Sequence, residues 1–287
     1  MEKGVQRWLV DISKWNPSED DFAFALSLLP QHEHCFITRY LKTEDRKRAL
    51  VSRLLQYALV HEVLGIPFDE IIIKRTFEGK PYLDSDKLKL EFPNFNFNAS
   101  HHGDFVAIAS EPLCLVGLDI VSQFVPGHET IPKFIQDFSP YYSSSEWTEI
   151  LNARTPDEML CEFYKYWALK EAYVKAIGTG VGYRMDRVEF VHSRWSNISV
   201  KSDGKKLTDW RFSLSDLGKG HWISVARGHP RMAGVSFKRT LKQTEFCEKE
   251  YLSGLHLPDV SFKLWTMEEL IDSLWKARNM VDHRKSP

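Results

Sequence analysis

Phe163-Tyr-Lys-Tyr-Trp-Ala-Leu-Lys-Glu-Ala-Tyr-Val-Lys-Ala-Ile-Gly-Thr-Gly180 is the stretch of this chain that decides its fold. Its pattern predicts a helix over residues 157–177, because the two glycines that follow favour helix termination. The helical repeat puts Trp167, Glu171 and Lys175 on one face, with Trp167 anchoring the helix. Alone, the Glu–Lys pair is a common exposed contact that stabilises a helix by about 0.2–0.5 kcal/mol. The alternative is a carboxylate and an ammonium that face one polar ligand.

A buried strand is predicted shortly before this helix, over residues 113–121. Alternation along the strand puts Asp119 on the same side as Leu115 and Gly117. An acid at the end of an apolar strand is costly to bury without a cation or a donor. Asp119 therefore either turns toward solvent or is a ligand of a hard metal ion such as Mg²⁺.

Polar side chains also follow one another in FNFNASHHGD, residues 95–104. The phenylalanines of this predicted strand can pack inward, while Asn98, Ser100 and His101 supply polar contacts at its end. Neighbours on a strand point to opposite faces, so His101 and His102 are not expected to share a metal. We interpret His101 as a phosphate donor and His102 as a surface residue.

Basic residues are concentrated in two further places. RTFEGKP, residues 75–81, is a predicted turn whose glycine allows the backbone to approach a ligand, although solvated turns of this kind are common. A second helix is predicted from Thr43, a good N-cap, to Gly65, and its first half contains Arg48 among several cations. A solvated helix face would also explain those cations.

Composition narrows the possible classes of protein. With 43% hydrophobic residues, the 287-residue chain can bury a core, and its formal charge of −1 argues against a nucleic-acid binder. No apolar run is long enough to cross a bilayer, so no membrane partner is expected. The four cysteines form no CxxC pair, and the first residues form no signal or transit peptide. We expect a cytoplasmic protein, with mitochondria as the alternative.

Four stretches together, in this order and at these separations, resemble the 4'-phosphopantetheinyl transferases. They are GKPYL (79–83), FNASHHG (97–103), VGLDI (116–120) and the helix stretch quoted above. The similarity covers residues 5–228 and is to the two-domain monomeric class that includes the Sfp-type and animal cytosolic enzymes. It implies an α/β (α+β) fold of two similar halves related by a pseudo-two-fold axis, with coenzyme A between them.

The predicted domains follow from this resemblance and from Glu111-Pro112, which separates two predicted strands. Residues 1–111 would form the first half, and residues 112–237 the second half with the metal site. Residues 238–287 would be a C-terminal extension without a known role. This extension includes a capping-box signal, Thr266-x-x-Glu269, before an amphipathic run that predicts a helix.

The resemblance also implies the site residues and the reaction. Asp119 and Glu171 would bind Mg²⁺, Glu171 would be the general base, and Lys175 would neutralise a phosphate. The serine of an apo acyl-carrier protein would attack the β-phosphate of coenzyme A and release 3',5'-ADP. Coenzyme A would contact a set of basic and polar residues: Arg48, Arg75, Lys80, Asn98, Ser100, His101 and Lys175. The enzyme would be a monomer.

The chain departs from the family pattern at two positions. Bacterial members carry a third acid where this chain has Val121, so a water molecule is expected to complete the metal shell. The family often has an arginine where Phe36 precedes Ile37, and the sequence leaves open whether Arg39 substitutes for it.

Two other functions compete with this reading. The chain could bind coenzyme A or a carrier protein without transfer, or it could be a Mg²⁺-dependent phosphohydrolase or nucleotide enzyme. The presence of Asp119, Glu171 and Lys175 together favours the transferase, because a protein that only binds would not need both a metal ligand and a base.

Overall fold

The chain forms two compact units in a computed structural model that describes residues 2–85, 90–125, 127, 129–243, 245 and 247–282. The first unit contains the described residues of Met1–Arg75, Pro81–Leu113 and Pro258–Pro287. The second contains those of Thr76–Lys80 and Cys114–Leu257. The chain thus divides at 113/114, two residues from the predicted boundary, and the predicted extension is shared between the two units.

Helices occur in both units. Within the described ranges the α-helices are α1 (Glu19–Ser27), α2 (Gln31–Thr38), α3 (Thr43–Leu64), α4 (Ile131–Gln136), α5 (Ser144–Leu151), α6 (Pro156–Ile177), α7 (Val235–Lys238), α8 (Glu248–Leu255) and α9 (Met267–Asp282).

Strands are likewise shared between the units, and the mixed helix and sheet content confirms the predicted α/β class. Over the same residues the strands are β1 (Gln6–Asp11), β2 (Ile73–Arg75), β3 (Pro81–Leu83), β4 (Asn96–His102), β5 (Phe105–Glu111), β6 (Leu115–Ser122), β7 (Val188–Ser193), β8 (Ser196–Ser202), β9 (Lys205–Leu207), β10 (Trp210–Gly218), β11 (His221–Gly228) and β12 (Lys263–Trp265).

The first unit is a sheet in the order β12-β1-β5-β4, with α3 and α9 packed together. The strands β1, β5 and β4 pair antiparallel, whereas β12 pairs parallel with β1. Its core joins Val10 and Ile108 of the sheet to Leu54 of α3 and to Leu270 of α9. Two segments at opposite ends of the chain therefore build one core.

Two predictions of local structure in this unit are wrong in detail. Lys42, not Thr43, is the N-cap of α3, because its backbone is extended (φ −83°, ψ 134°) and Thr43 is already helical. The β-branched residues of 70–75 predict a strand over that range. The strand is only Ile73–Arg75, since Phe68–Glu70 forms a 3-10 helix after Pro67. The predicted capping box of α9 is confirmed, because Glu269 N donates to Thr266 Oγ1 and Thr266 N donates to a Glu269 carboxylate oxygen.

The second unit has a sheet in the order β10-β11-β6, all antiparallel, with α6 packed on β6 and β11. At the closest approach of helix and strand, a Cβ on Gly117 would lie 1.9 Å from the carbonyl oxygen of Ala172. Only glycine fits there. The chain also forms a separate sheet, β7-β8-β9, of which the sequence predicts only the first strand, over residues 188–191. The other two strands are largely polar, and Val200 is their only buried residue.

The helix α6 is well determined by its own residues. Thr155 caps its N-terminus by accepting a hydrogen bond from Glu158 N, and Pro156 begins it. Gly178 ends it in the left-handed conformation, at φ +74°. Trp167 anchors it, with its ring 5.3 Å from that of Phe138. Among the residues that the structure describes, no helix is long and apolar enough to cross a membrane.

Candidate active site

Three charged side chains of the second unit meet where β6 and α6 touch. The Lys175 ammonium lies 2.5 Å from the Asp119 carboxylate, and the two side chains are 30% and 8% exposed. Glu171 precedes Lys175 by one helical turn. The close packing at Gly117, two residues before Asp119, is what lets strand and helix bring these groups together.

The surroundings of the Glu171 carboxylate disfavour its negative charge. Burial raises its pKa, and the negative charge of Asp119 raises it further, while Lys175 opposes the shift. The two carboxylates are therefore close enough to repel one another. A cation between them would relieve that repulsion.

These residues fit a divalent cation such as Mg²⁺. Mg²⁺ is commonly held by one or two carboxylates, with water and substrate phosphates completing its shell. Within the described part of the chain no group of three or more histidine, cysteine, aspartate or glutamate side chains is placed so that it could hold a metal ion, and Val121 is buried. Ser224, opposite Asp119 in the β6–β11 ladder, has a fully buried hydroxyl without a hydrogen-bond partner among the described residues. The sequence did not single out Ser224.

The structure gives Lys80 a different environment from the one expected of a coenzyme A ligand. Its ammonium donates to the carbonyl oxygens of Val116, at 2.8 Å, and Lys175, at 2.7 Å. The residue is 5% exposed, and its ammonium lies 4.6 Å from the centre of the Phe237 ring. Burial, together with the charge of Lys175, lowers the pKa of Lys80 to about 7.

Lys170, the first lysine of the KEAYVK stretch, is also buried. It lies 2.8 Å from the Glu146 carboxylate, and both side chains are at most 1% exposed. Its ammonium donates to the carbonyl oxygens of Met185 and Val188 as well. Burial lowers the pKa of Lys170 and raises that of Glu146. Lys170 therefore supports the fold, and spacing alone could not distinguish it from Lys175.

The predicted residues of β4, in the first unit, do not share one face. Asn98 and Ser100 are buried, at 5% and 6% exposure, whereas His101 is exposed. Ser100 and His101 are consecutive in the strand, so their side chains point to opposite faces. His102 is exposed, as predicted.

Arg48 is held at the turn between β4 and β5. Its guanidinium donates to the carbonyl oxygen of Gly103, at 2.9 Å, and to the Asp45 carboxylate, at 2.6 Å. The side chain keeps 19% exposure. The local ion pair accounts for its orientation, and the role of Arg48 in binding coenzyme A remains a prediction.

Arg75 belongs to a cluster of cations in the first unit. It is exposed at the surface, yet loss of hydration around its guanidinium, followed by the charge of Arg53, lowers its pKa to about 10. Arg53 lies 3.2 Å from the buried Glu33 carboxylate, and Arg39 also acts on Arg75 electrostatically. Sequence reasoning missed Arg53, because nothing local separates it from other helix cations.

Phe36 lies beside the cation cluster of Arg39, Arg53 and Arg75. It is 46% exposed, and the Arg53 guanidinium lies 5.8 Å from its ring centre. Arg39 lies against the ring of Tyr40, at 5.1 Å. Arg39 is thus near the cations of the cluster, and whether it substitutes for the family arginine stays a prediction.

Two carboxylates and an ammonium, gathered where β6 meets α6, form a candidate site suited to phosphate chemistry. Two family profiles match the chain: "4'-phosphopantetheinyl transferase, N-terminal" over residues 13–113 and "4'-phosphopantetheinyl transferase superfamily" over residues 115–226.

Curated relatives agree with these matches. The L-aminoadipate-semialdehyde dehydrogenase-phosphopantetheinyl transferase of Rattus norvegicus is 34% identical over 250 residues, which cover 83% of this chain and 81% of the relative. A phosphopantetheinyl transferase of Thraustochytrium sp. is 35% identical over 241 residues, 82% of each chain. The chain belongs to the 4'-phosphopantetheinyl transferase family, whose members transfer phosphopantetheine from coenzyme A to carrier proteins.

Proposed function

We propose that this enzyme transfers 4'-phosphopantetheine to a serine of an apo acyl-carrier protein with Mg²⁺ bound by Asp119 and Glu171, and that it releases 3',5'-ADP. The observation that carries the proposal is the meeting of Asp119, Glu171 and Lys175, with two mutually repelling carboxylates beside one ammonium. Family membership supports the group transferred and the kind of acceptor.

Each of the three residues has a task in this reaction. Bound Mg²⁺ would neutralise charge on the diphosphate of coenzyme A. The Glu171 carboxylate takes the proton of the carrier serine directly or through water. The serine oxygen then forms a bond to the β-phosphorus, and the bond from that phosphorus to the bridging oxygen breaks. The leaving group is 3',5'-ADP.

Lys175 neutralises negative charge on the phosphoryl oxygens. Its ammonium is held at 2.5 Å by Asp119 and keeps 30% exposure, so a phosphate can reach it. An ammonium that is oriented before the substrate arrives costs little reorganisation in the transition state.

The alternative function is binding of coenzyme A or a carrier protein without transfer of phosphopantetheine. A protein that only binds coenzyme A would not need a general base beside its metal ligand, so the presence of Asp119, Glu171 and Lys175 together favours transfer. The phosphohydrolase reading differs in one observable: it would release nucleotide products without a carrier.

The deciding experiment is intact-protein mass spectrometry of an apo acyl-carrier protein incubated with the enzyme, coenzyme A and Mg²⁺. We expect a gain of one phosphopantetheine arm together with carrier-dependent release of 3',5'-ADP. EDTA and Asp119→Ala should each abolish the gain, whereas Asp157→Asn, an exposed acid in the first turn of α6, should not.

The other outcomes exclude the proposal in different ways. Coenzyme A binding without any gain of mass across several carriers would favour the reading without transfer. Nucleotide release without a carrier would favour a phosphohydrolase. Transfer that continues in the presence of EDTA would show that the reaction does not require Mg²⁺.

A further inference from the structure

The loop Thr76–Lys80 is fixed to the second unit by its own hydrogen bonds. Thr76 and Lys80 close it, since Thr76 N donates to Lys80 O at 2.9 Å and Lys80 N donates to Thr76 Oγ1 at 3.2 Å. Within this unit the Ser236 hydroxyl donates to the Glu78 carboxylate at 2.8 Å. The loop thus carries the Lys80 side chain inward in a defined direction.

The Lys80 ammonium joins the two elements that hold the catalytic groups. One acceptor, the Val116 carbonyl, lies on β6 three residues before Asp119. The other, the carbonyl of Lys175 itself, lies in the last turn of α6. The Lys80 side chain is therefore hydrogen-bonded to the backbone of β6 and to the backbone of α6 at the same time.

Both acceptors are backbone carbonyls at places where a helix or a sheet can accept a donor from outside. The last four carbonyls of a helix have no partner within the helix, and a positive charge is favourable at that end. β6 is the outer strand of the order β10-β11-β6, so part of its backbone is not used by the sheet. Lys80 satisfies one group of each kind.

The surroundings of Lys80 leave little room for a ligand. A Cβ on Gly178 would lie 2.9 Å from Lys80 Cδ, and the Phe237 ring covers the ammonium at 4.6 Å. The residue is only 5% exposed. A phosphate would have to displace one of the two carbonyls to reach the ammonium well.

We propose that Lys80 is a positioning residue, which sets the separation of Lys175 and Asp119 by joining α6 to β6, and not a ligand of coenzyme A. This inference rests on the proposed function. Without the ammonium, the buried carbonyl of Val116 and the partly buried carbonyl of Lys175 each lose a donor, and Lys80 no longer joins the last turn of α6 to the strand. The 2.5 Å contact between Lys175 and Asp119 would then loosen.

The test is a comparison of Lys80→Met with the wild-type enzyme and with Lys201→Met, a control that removes a half-exposed lysine of the same unit. We measure kcat, the KM for coenzyme A, and the Kd of 3',5'-ADP by calorimetry. We expect kcat to fall by about 10- to 100-fold, since small misplacements of catalytic groups have effects of this size. The KM and the Kd should stay within about twofold of wild type, well below the tenfold that 1.4 kcal/mol of lost binding would produce.

Two outcomes of these measurements would contradict the proposed role of Lys80. A large rise in KM and in the Kd of 3',5'-ADP with kcat retained would make Lys80 a phosphate ligand and overturn the inference. A variant that behaves like wild type in all three quantities would overturn it too. Wild-type transfer is measured first, because its absence counts against the proposed function and not against Lys80.

A second measurement covers the case in which Lys80→Met does not fold. In the wild-type enzyme labelled with ¹⁵N-lysine, the Lys80 ammonium resonance can be assigned through Phe237→Leu, which removes the adjacent ring. Addition of 3',5'-ADP should leave that resonance unshifted. A shift that saturates with the nucleotide would identify a ligand contact and overturn the inference.

Discussion

At the scale of single residues, burial separates side chains that the sequence presents as equivalent. Lys170 and Lys175 lie five positions apart on α6, yet the first is fully buried against Glu146 and the second keeps 30% exposure beside Asp119. The first stabilises the fold, and the second is available to a substrate.

Glu171→Gln should abolish transfer while coenzyme A binding is largely retained, because the amide cannot accept the serine proton. In the wild type, only the deprotonated carboxylate is a base. Protonation of Glu171 would remove the base, so kcat/KM should fall as the pH is lowered through the pKa that this carboxylate has with Mg²⁺ bound. A pH profile of transfer checks this, and retained turnover in Glu171→Gln would remove Glu171 as the base.

From the family resemblance we infer that Arg75 binds the 3'-phosphate of coenzyme A. Arg75→Ala should then weaken coenzyme A by about 1.5–3 kcal/mol and 3'-dephospho-coenzyme A much less, because a charge-assisted bond would be lost. Kd values for the two ligands test this. Arg211→Ala, which removes an exposed arginine of the second unit, is the control. Equal weakening of both ligands would contradict the assignment.

Lys170→Met should lower the free energy of unfolding by about 3–5 kcal/mol, because it leaves the buried Glu146 carboxylate without its partner. Lys201→Met breaks the pair with Glu189, in which the side chains are 39% and 30% exposed, and should cost at most about 1 kcal/mol. Urea unfolding of both variants makes the comparison. Similar losses would mean that the buried pair contributes no more than the exposed one.

At the scale of secondary-structure elements, the contact of β6 with α6 determines the site. The strand and the helix are in backbone contact at Gly117, and the Lys80 ammonium crosses the same junction. Asp119, Glu171 and Lys175 are functional together only if these two elements keep their separation.

Gly117→Ala should therefore reduce transfer more than its small change in volume suggests. The added methyl would lie 1.9 Å from the Ala172 carbonyl oxygen, so the helix must move away from the strand. We expect a loss of stability of about 1–3 kcal/mol, as for overpacked cores, and a lower kcat. Gly182→Ala is the control for stability, because nothing lies within 4 Å of the added Cβ and the backbone there has no positive φ. A kcat equal to wild type would show that the junction tolerates expansion.

At the scale of the whole molecule, the order of the chain and the organisation of the units do not coincide. β12 pairs with β1, the Trp265 ring lies 5.1 Å from that of Trp8, and Leu270 is fully buried. The described C-terminal residues 258–282 are thus part of the first unit, whereas Thr76–Lys80 belongs to the second unit.

A fragment of residues 1–113 should not unfold cooperatively, because it lacks β12 and α9 and exposes the core face that they cover. The same fragment with residues 258–287 attached through a Gly/Ser linker should regain a cooperative transition. Thermal unfolding followed by circular dichroism tests both. A cooperative transition in the shorter fragment would show that the C-terminal segment is dispensable for this core.

The sequence by itself determined the features that depend on local spacing. The bounds of α6 differ by one residue from the prediction, because a threonine cap, a proline and a terminal glycine act over a single turn. The order of the motifs identified the family, and it also named the Asp119, Glu171 and Lys175 set that the structure brings together.

Only the tertiary structure decided which partner each buried charge meets. Lys80 contacts residues 36 and 95 positions away, Lys170 pairs with Glu146 of another helix, and β12 joins a strand from the opposite end of the chain. No local pattern encodes such contacts. A buried charge must be satisfied by whatever acceptor the packed fold offers, and that acceptor exists only once distant segments have come together.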